Sequence, residues 1–599
     1  CDHLDLQWVN FQTIEIVSDS IMLEKILLRN KKNSSWLKFS NPQHIFVCSD
    51  IAEIRETLRD IEVRVQRDKL YAAGYLTYEA APAFDPAFKV NSENKLPFLC
   101  FGLFGDYEEC SNLKNDRDID LQELDWKLGT SEQTYKKNFT YIKKQIERGN
   151  TYQINYTLRN FTENLTDPYQ FFLARASNAP YAAYIETKDH TIISASPELF
   201  FSLDGDKLES KPMKGTSMRG KTQQEDLDLR IELKQSEKNL AENIMITDML
   251  RNDMGRISLP GSVEVSAICD VEQYPTVWQM TSTVRSKTEV NIEEIIAALF
   301  PCASVTGAPK ISSMEIISKI EDTPREIYTG AIGFIAPNRQ AQFSVPIRTV
   351  LVDKKTNEAS YGTGGGIVWD SDFLAEFEEC MAKAKVLTTT NTNSNFELFE
   401  TMLWEPRKGI FLRDLHFSRL KNSATYFNFI YNFSRIETEL EKYLKKYTSE
   451  SRKIKIYLNK NGDIKLSSKK MTYINQQKDY TISFAEKAID LNDVFYYHKT
   501  TRRDIYERAK SINRLSNDTL FWNDAGEITE SKIANLIINI GNECYTPPVS
   551  SGLLGGTYRQ MMLDKGLLKE RVIHKSEISH LSEITLINSV RGRFRAKLI

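Results

Sequence analysis

The sequence predicts an α+β protein of more than one domain, on three observations. Apolar residues recur at helical spacing in some stretches and in strand-like runs in others, both kinds are plentiful, and no internal repeat joins them. A chain of 599 residues is long enough for more than one hydrophobic core. The polar, low-complexity run Thr388-Thr-Thr-Asn-Thr-Asn-Ser-Asn395 follows a helical pattern, and an apolar pattern restarts at Phe396-Glu-Leu-Phe399. The expected divisions are 1–125, 126–387, a linker at 388–395, and 396–599.

Along the chain, His44-Ile-Phe-Val-Cys48 reads as a strand, Ser131 to Gly149 as a helix, and Thr191 to Ser196 and Gly330 to Ala336 as further strands. In Lys211-Pro-Met-Lys-Gly-Thr-Ser-Met-Arg-Gly220, Pro212 and Gly215 stop regular structure beside an amine, Lys214. That lysine is either a surface cation or a nucleophile whose pKa is lowered by burial and nearby Arg219. The helix Ser236 to Arg251 places Leu240, Ile244, Met245, Met249 and Leu250 on its apolar side, with Asn239 and Glu242 on a neighbouring face. The helix Phe373 to Lys385 aligns Glu376, Glu379 and Lys383. Glu379 and Lys383 suit a solvated ion pair, but carboxylates from two helices facing one cavity also suit Mg²⁺. Tyr361-Gly-Thr-Gly-Gly-Gly-Ile-Val-Trp-Asp-Ser371 lacks the pattern of a P-loop or a dinucleotide fingerprint, and its glycines are either an anion-approach loop or a bulge. Arg348, expected on a strand within Phe343 to Val350, offers bidentate carboxylate recognition. Together these features describe a substrate with more than one carboxylate.

Charge and cysteine usage narrow the class. Lys plus Arg total 78 against 81 Asp plus Glu, so no global field draws nucleic acid or an anionic membrane. The eight cysteines show no CxxC pair, which predicts free thiols in a reducing compartment, and no apolar run is long enough to span a bilayer. The chain reads as cytoplasmic. It starts at Cys1 without a methionine, which leaves open whether the N-terminus is trimmed or incomplete. The scattered histidines lack zinc-ligand spacing, and the basic run Lys442 to Lys455 reads as a solvated helix and strand edge.

The motifs up to residue 387 resemble the chorismate-utilising enzyme family, within it the aminodeoxychorismate synthase component I group. The segments that carry the likeness are Ser196-Pro-Glu-Leu-Phe200, Pro212-Met-Lys-Gly-Thr216, Ala241-Glu-Asn243, Leu250-Arg-Asn-Asp253, Ser304-Val-Thr-Gly-Ala-Pro-Lys310, Tyr328-Thr-Gly-Ala-Ile-Gly333, Gly364-Gly-Gly366 and Glu376-Phe-Glu-Glu379. The resemblance implies two facing β-sheets flanked by helices. It also implies that Glu242 and Glu379, supported by Glu376, bind Mg²⁺, and that Tyr328, Arg348, Gly364, Gly365, Gly366 and Lys383 hold the substrate. Gly215 and Thr216 would approach the ring. Gln153 stands where water-activating relatives carry a lysine base, and an amide cannot deprotonate water. Lys214 stands where anthranilate synthases usually have alanine, so its amine would attack C2 of chorismate with loss of the C4 hydroxyl, after which ammonia adds at C4 and expels it. Glu198 is the implied acid/base. Gln279 departs from the histidine of many relatives. A Gly-x-Cys-x-Gly glutaminase elbow is missing, so ammonia is expected from a separate glutamine amidotransferase subunit.

Beyond residue 395, Lys499 lies in Tyr496-Tyr-His-Lys-Thr-Thr-Arg-Arg503, Glu530 precedes an apolar strand Leu536 to Ile540, and Gly555-Gly556-Thr557 opens a helix pattern suited to a phosphate or simply to a surface turn. With Phe396-Glu-Leu-Phe-Glu-Thr-Met402, Leu412-Arg-Asp-Leu-His-Phe-Ser-Arg-Leu420 and Asn588-Ser-Val-Arg-Gly592, these segments resemble fold-type IV pyridoxal 5′-phosphate enzymes, nearest the 4-amino-4-deoxychorismate lyases. The implied unit has two α/β subdomains and is a possible route to a homodimer. Lys499 would bind the cofactor and shuttle protons, Glu530 would meet the ring nitrogen, and Arg419, Gly556 and Thr557 would take the phosphate. His498 is expected to pack or hydrogen-bond. The combined expectation is a fusion that converts chorismate to 4-aminobenzoate for folate synthesis. The alternatives are an anthranilate synthase joined to a branched-chain or D-amino-acid aminotransferase, and a non-catalytic metabolite-binding regulator.

Overall fold

Antiparallel strand pairing organises the first part of the molecule. The computed structural model describes residues 22–91, 93–113, 124–274, 277–385, 396–471, 480–507, 509–578 and 584–599. The expected linker at 388–395 lies outside the described residues, as do Cys1, His3 and His580. The chain divides into two units, Cys1–Ser217 with Leu233–Thr392, and Met218–Glu232 with Asn393–Ile599.

The first unit holds two ten-stranded sheets, each with nine strands on one path and a tenth paired off it: Lys127–Leu128 beside Gln153–Thr162 in one, Glu264–Gln273 beside Val277–Lys287 in the other. One runs Gly307–Ala308, Gln153–Thr162, Ala359–Ile367, Thr349–Asp353, His190–Ser196, Tyr181–Thr187, Leu23–Asn30, Ser35–Ser40, Glu108–Cys110. The other runs Met213–Met218, Val277–Lys287, Lys207–Lys211, Leu199–Asp204, Gln340–Ser344, Ala331–Ala336, Tyr71–Leu76, Leu99–Phe104, His44–Cys48. Strand alternation sends Ile26, Phe39, Ile185 and Ile192 from the first sheet against Tyr75, Phe104 and Ile332 from the second, so a core lies between facing sheets as expected. The outer face of the second sheet is covered by helices Ile54–Asp68 and Ile292–Leu299, which bury Leu58, Ile61, Ile295 and Leu299. Ser131 caps helix Glu132–Glu147 through the Thr134 amide at 3.1 Å, and this helix packs with Lys310–Ile320 and Phe373–Lys385 on strand Gln153–Thr162.

Four local expectations change. Pro212 interrupts the sheet edge, but a strand restarts at once, so Lys214 sits within strand Met213–Met218, with Gly215 taking the left-handed φ of 90° that keeps the strand going. The glycines 364–366 are neither loop nor bulge: strand Ala359–Ile367 pairs residue by residue with Gln153–Thr162. Arg348 falls between strands Gln340–Ser344 and Thr349–Asp353 at φ 53°, a kink rather than a strand position. Helix Glu237–Gly255 buries Asn243, Ile246, Thr247, Leu250 and Met254 and leaves Ile244 exposed, because its inward stripe is partly polar.

In the second unit, strands Gly409–Ile410, Leu398–Glu405, Arg452–Leu458 and Ile464–Lys470 form an antiparallel sheet packed by helices Arg413–Tyr426 and Phe433–Leu444. An eight-stranded mixed sheet follows, with Tyr480–Phe484 pairing in parallel with both Asp518–Trp522 and Gly592–Leu598. Seven described cysteines are free thiols. Among the described residues no helix is long and apolar enough to cross a membrane.

One buried charge ties the first unit together. Arg325 donates to Glu321 through Nε and Nη2, both at 2.8 Å, and to the carbonyls of Val305 and Asn155, both at 2.8 Å. Just upstream in the fold, Glu79 accepts the Arg325 and Glu326 amides, and burial raises its carboxyl to about 8. Removing Arg325 would strand the Glu321 charge. Arg325→Met is expected to destabilise the first unit by about 3–5 kcal/mol, measured as a lowered urea midpoint, whereas Lys319→Met, at an exposed helical pair, leaves that midpoint nearly unchanged.

Candidate active sites

The first unit contains an open cleft of ≈ 980 Å³. It is lined by Glu198, Lys214, Gly215 and Thr216, then Glu242 and Gln279, then Tyr328 and Arg348, then Gly364, Gly365, Gly366, Glu376, Glu379 and Lys383, all singled out from the sequence, whereas Gln153 stands behind the lining with its Nε2 3.5 Å from Glu242. They arrive from both sheets and two helices.

Lys214 is held through its backbone, and a bare strand leaves room for its tip. Asn243 donates Nδ2 to the Lys214 carbonyl at 3.1 Å and accepts from Ser282 Oγ at 2.5 Å, which fixes helix Glu237–Gly255 against strands Met213–Met218 and Val277–Lys287. A Cβ on Gly366 would overlap Gln153 Nε2 and stand 2.5 Å from Lys214 Nζ, so the missing side chain is what admits the amine. Gln279 donates Nε2 to the Gly215 carbonyl at 2.8 Å and accepts from Thr216 Oγ1 at 2.9 Å, pinning the strand just past the lysine. Arg219 belongs to the second unit, where Asp226 takes its Nε at 2.6 Å.

The cleft sorts its charges. Glu198 is 2 % exposed, and burial raises its carboxyl to about 7 although Ser304 Oγ donates to it at 2.6 Å and Lys214 favours its anion. Burial also raises Glu242, against the pull of Lys214 and Lys238, with Glu376 and Glu379 adding like-charge repulsion. Glu379 is lowered, first by Lys383, which lies 2.7 Å away and also donates to the Gly364 carbonyl at 2.9 Å. Glu376 accepts from Ser371 at 2.6 Å and Lys238 at 3.3 Å. Arg348 is lowered by burial, and its guanidinium has no ion-pair or hydrogen-bond partner among the described residues, so an anion entering the cleft would meet an uncommitted cation.

Do these residues fit Mg²⁺? Among the described residues no three acidic, histidine or cysteine side chains form a ready metal cage. Glu242, Glu376 and Glu379 nonetheless share one cleft and repel one another, which suits an ion that takes one or two carboxylates and completes its shell with water and an anionic substrate. Asn155, Lys238, Ser304 and Tyr361 also line the cleft without having been singled out. Lys238 stands one helical turn before Glu242, a spacing that was available as a signal; Ser304 lies in a quoted motif to which no role was attached.

The second unit gathers a different set. The Phe399 amide donates to the Lys499 carbonyl at 3.1 Å, and the ammonium lies 4.8 Å from the Phe399 ring centroid. Burial, then Arg419, lowers Lys499 to about 7, with Glu400 and Glu530 opposing. Glu530 is raised to about 7 by burial and is clamped by the Leu554 amide at 3.2 Å, Tyr506 at 2.9 Å and Asn535 at 3.1 Å. Arg419 grips Glu400 and donates to the Gly555 carbonyl at 3.0 Å, directly before helix Thr557–Asp564, whose cap is Gly556. A lysine with an accessible neutral form, a carboxyl for a ring nitrogen and a helix start beside an arginine fit pyridoxal phosphate. His498 is not part of this chemistry: Nδ1 meets Ser423 at 3.0 Å, Nε2 meets the Lys221 carbonyl at 3.1 Å, and burial lowers the ring to about 4.

Known proteins share both halves. A family model described as chorismate binding enzyme matches residues 24–389, and one described as amino-transferase class IV matches residues 397–599. Aminodeoxychorismate synthase component 1 of Bacillus subtilis (strain 168) is 40% identical over 247 residues, 41% of this chain and 52% of that protein. The Escherichia coli (strain K12) protein of that name is 34% identical over 263 residues, 43% of this chain and 58% of its own, and the chloroplastic aminodeoxychorismate synthase of Arabidopsis thaliana is 42% identical over 263 residues, 28% of its length. The matched stretch therefore spans less than two thirds of each of these relatives. Among solved structures, anthranilate synthase component I from Streptococcus pneumoniae superposes with a TM-score of 0.52 at 22% identity, covering 64% of this chain and 95% of that one, which fixes the fold. The two facing sheets, the cleft between their helices and a family match over more than half of the residues place this chain in the chorismate-binding enzyme family.

Proposed function

We propose that the first unit aminates chorismate to 4-amino-4-deoxychorismate and that the second removes pyruvate from that product, releasing 4-aminobenzoate. The observation that carries the reading is Lys214, an amine with no hydrogen-bond partner among the described residues, in one cleft with the half-neutral carboxyl of Glu198 and the uncommitted Arg348.

Arg348, Tyr328 and the amides of the glycine strand would take one substrate carboxylate. Mg²⁺, held by Glu242 and Glu379 with Glu376 behind them, would neutralise the other. Lys214 nitrogen bonds to ring C2 as the double bonds shift and the C4–O bond breaks, and protonated Glu198 gives the departing hydroxyl the proton that makes it water. Ammonia then bonds to C4, the shift reverses, and the C2–N bond breaks with its electron pair returning to the lysine. The new ammonium returns a proton to Glu198. The sum is chorismate plus ammonia giving aminodeoxychorismate plus water. Ammonia would come from a glutamine amidotransferase partner.

In the second unit, pyridoxal phosphate would supply an electron sink for breaking bonds near the substrate amine. Arg419, Gly556 and Thr557 would position its phosphate and Glu530 its ring nitrogen. Lys499, neutral in part near pH 7, would carry it and move protons between carbons.

Incubated with chorismate, ammonium, Mg²⁺ and pyridoxal phosphate, the protein is expected to form 4-aminobenzoate; 2-aminobenzoate as the product would sink the assignment. Lys214→Ala loses aminodeoxychorismate formation, while Lys499→Ala accumulates it, both read by chromatography. Because the acid form of Glu198 is needed, the amination rate at a constant concentration of free ammonia is expected to fall as pH rises past about 7. Glu198→Gln lowers kcat by about 10²–10⁴-fold and removes that limb, and a profile unchanged in the variant would exclude the role. Glu242→Gln is expected to raise the Mg²⁺ concentration needed for half-maximal rate at least tenfold; an unchanged Mg²⁺ titration would remove Glu242 from the metal site.

A further inference from the structure

Four side chains in the second unit form a chain of hydrogen bonds whose direction is set at one end. Glu400 is 1 % exposed, and both of its oxygens are engaged. Arg419 Nε donates to Oε1 at 2.8 Å, Arg419 Nη2 donates to Oε2 at 2.7 Å, and His416 Nδ1 lies 2.7 Å from Oε2. Burial opposes the Glu400 charge, but Arg419 and His416 outweigh it and hold the carboxyl well below its usual range. An ionised carboxylate accepts only, so His416 carries its hydrogen on Nδ1. Its other nitrogen, Nε2, lies 3.4 Å from Thr557 Oγ1, and Thr557 opens helix Thr557–Asp564.

A neutral His416 therefore presents a lone pair to Thr557, and the threonine hydrogen points back at the ring. The hydroxyl then turns its own lone pairs toward the helix start, the place where Gly556, the Thr557 amide and Arg419 converge to favour an anion. One hydroxyl hydrogen cannot serve both the histidine and a phosphate oxygen. A proton on Nε2 removes the conflict, because the ring then donates to Thr557 Oγ1 and frees the hydroxyl hydrogen for the ligand.

We propose that docking of a phosphate monoester at the start of helix Thr557–Asp564 protonates His416 and reverses its hydrogen bond with Thr557. The inference rests on reading this helix start as the phosphate site. His416 is completely buried, and the charged groups facing it come from three elements: Glu400 from strand Leu398–Glu405, Arg419 from its own helix, and Lys499 from the segment ahead of Thr500. Burial, Arg419 and Lys499 favour the neutral ring, and Glu400 opposes them; the net direction is below the ordinary value. A phosphate monoester adds a charge of about −1.5 to −2 on the side of the proton. The sign follows: His416 is raised in the complex relative to the free protein, so affinity weakens as pH climbs through the bound value and is level below the free one.

The test uses the full chain and pyridoxine 5′-phosphate, which carries the phosphate but has no aldehyde to condense with Lys499. Calorimetric titration at pH 8 in two buffers of different ionisation enthalpy counts the protons exchanged on binding. The readout is the difference between the wild type and His416→Gln, which keeps a donor but does not titrate; protons moved at Lys499, Glu530 and the pyridine nitrogen cancel in that difference. The wild type is expected to take up close to one proton more than His416→Gln, and Thr557→Val, which deletes the hydroxyl, to lose the same uptake. Equal uptake in all three overturns the relay while leaving the phosphate site standing. Should His416→Gln fail to fold, the Thr557→Val comparison decides alone. Absence of any binding, with pyridoxine 5′-phosphate behaving like unphosphorylated pyridoxine, overturns the site reading and the relay with it.

Discussion

The geometry of the first site depends on a single buried amide. Asn243 donates to the carbonyl of Lys214 at 3.1 Å and to that of Met280 at 3.4 Å, and accepts from Ser282. It sits one residue after Glu242, on the helix that brings a carboxylate to the cleft. The amine and the acidic wall therefore share one fixed distance set by a side chain that touches neither. Losing it would leave two buried carbonyls and a hydroxyl in need of partners, which costs more than the bonds themselves contribute. Gln279 does similar work one strand along, and neither amide titrates, so these two supports of the strand that carries Lys214 do not change with pH, whereas Glu198 is poised to change state near neutrality.

How much of this was legible depended on what kind of signal each residue leaves. Strand and helix runs gave the α+β class, the family likeness implied the two facing sheets, and the cleft residues followed from that likeness and from short motifs in which the residue type is the chemistry: a lysine, paired glutamates, glycines. Asn243 left no such signal. Apolar spacing on its helix pointed to Leu240 and Ile244, yet the buried stripe is led by an asparagine and a threonine, and Ile244 faces outward. Periodicity tracks hydrophobic burial and is blind to polar groups that are buried because they are bonded. Arg348 was misplaced for a related reason, since nothing in Ser344-Val-Pro-Ile-Arg announces a left-handed arginine. Ser304 and Lys238 were in view but carried no role, because their partners Glu198 and Glu376 are distant in sequence.

The two sites solve the same electrostatic problem in opposite ways. The first is an open cleft that sets Lys214, Lys238 and Lys383 against its glutamates, although burial still raises Glu198 and Glu242. The second is buried, and desolvation moves Lys499 and Glu530 toward each other until both sit near 7. Each of the two groups can therefore hold or release a proton near neutral pH. Only Glu400 escapes, because Arg419 and His416 together outweigh its burial.

The bare strand at Gly364–Gly366 has a consequence for how this cleft could change over generations. Where a wall is made of side chains, substitution can widen, narrow or recharge it in single steps. Here the wall is main chain, pressed against Gln153 and the tip of Lys214, and any replacement at Gly366 collides with both. Both neighbours are the far ends of flexible side chains, so a side chain at Gly366 could be housed only by swinging the Lys214 amine and the Gln153 amide aside, and any change to this wall is also a change in where the amine sits.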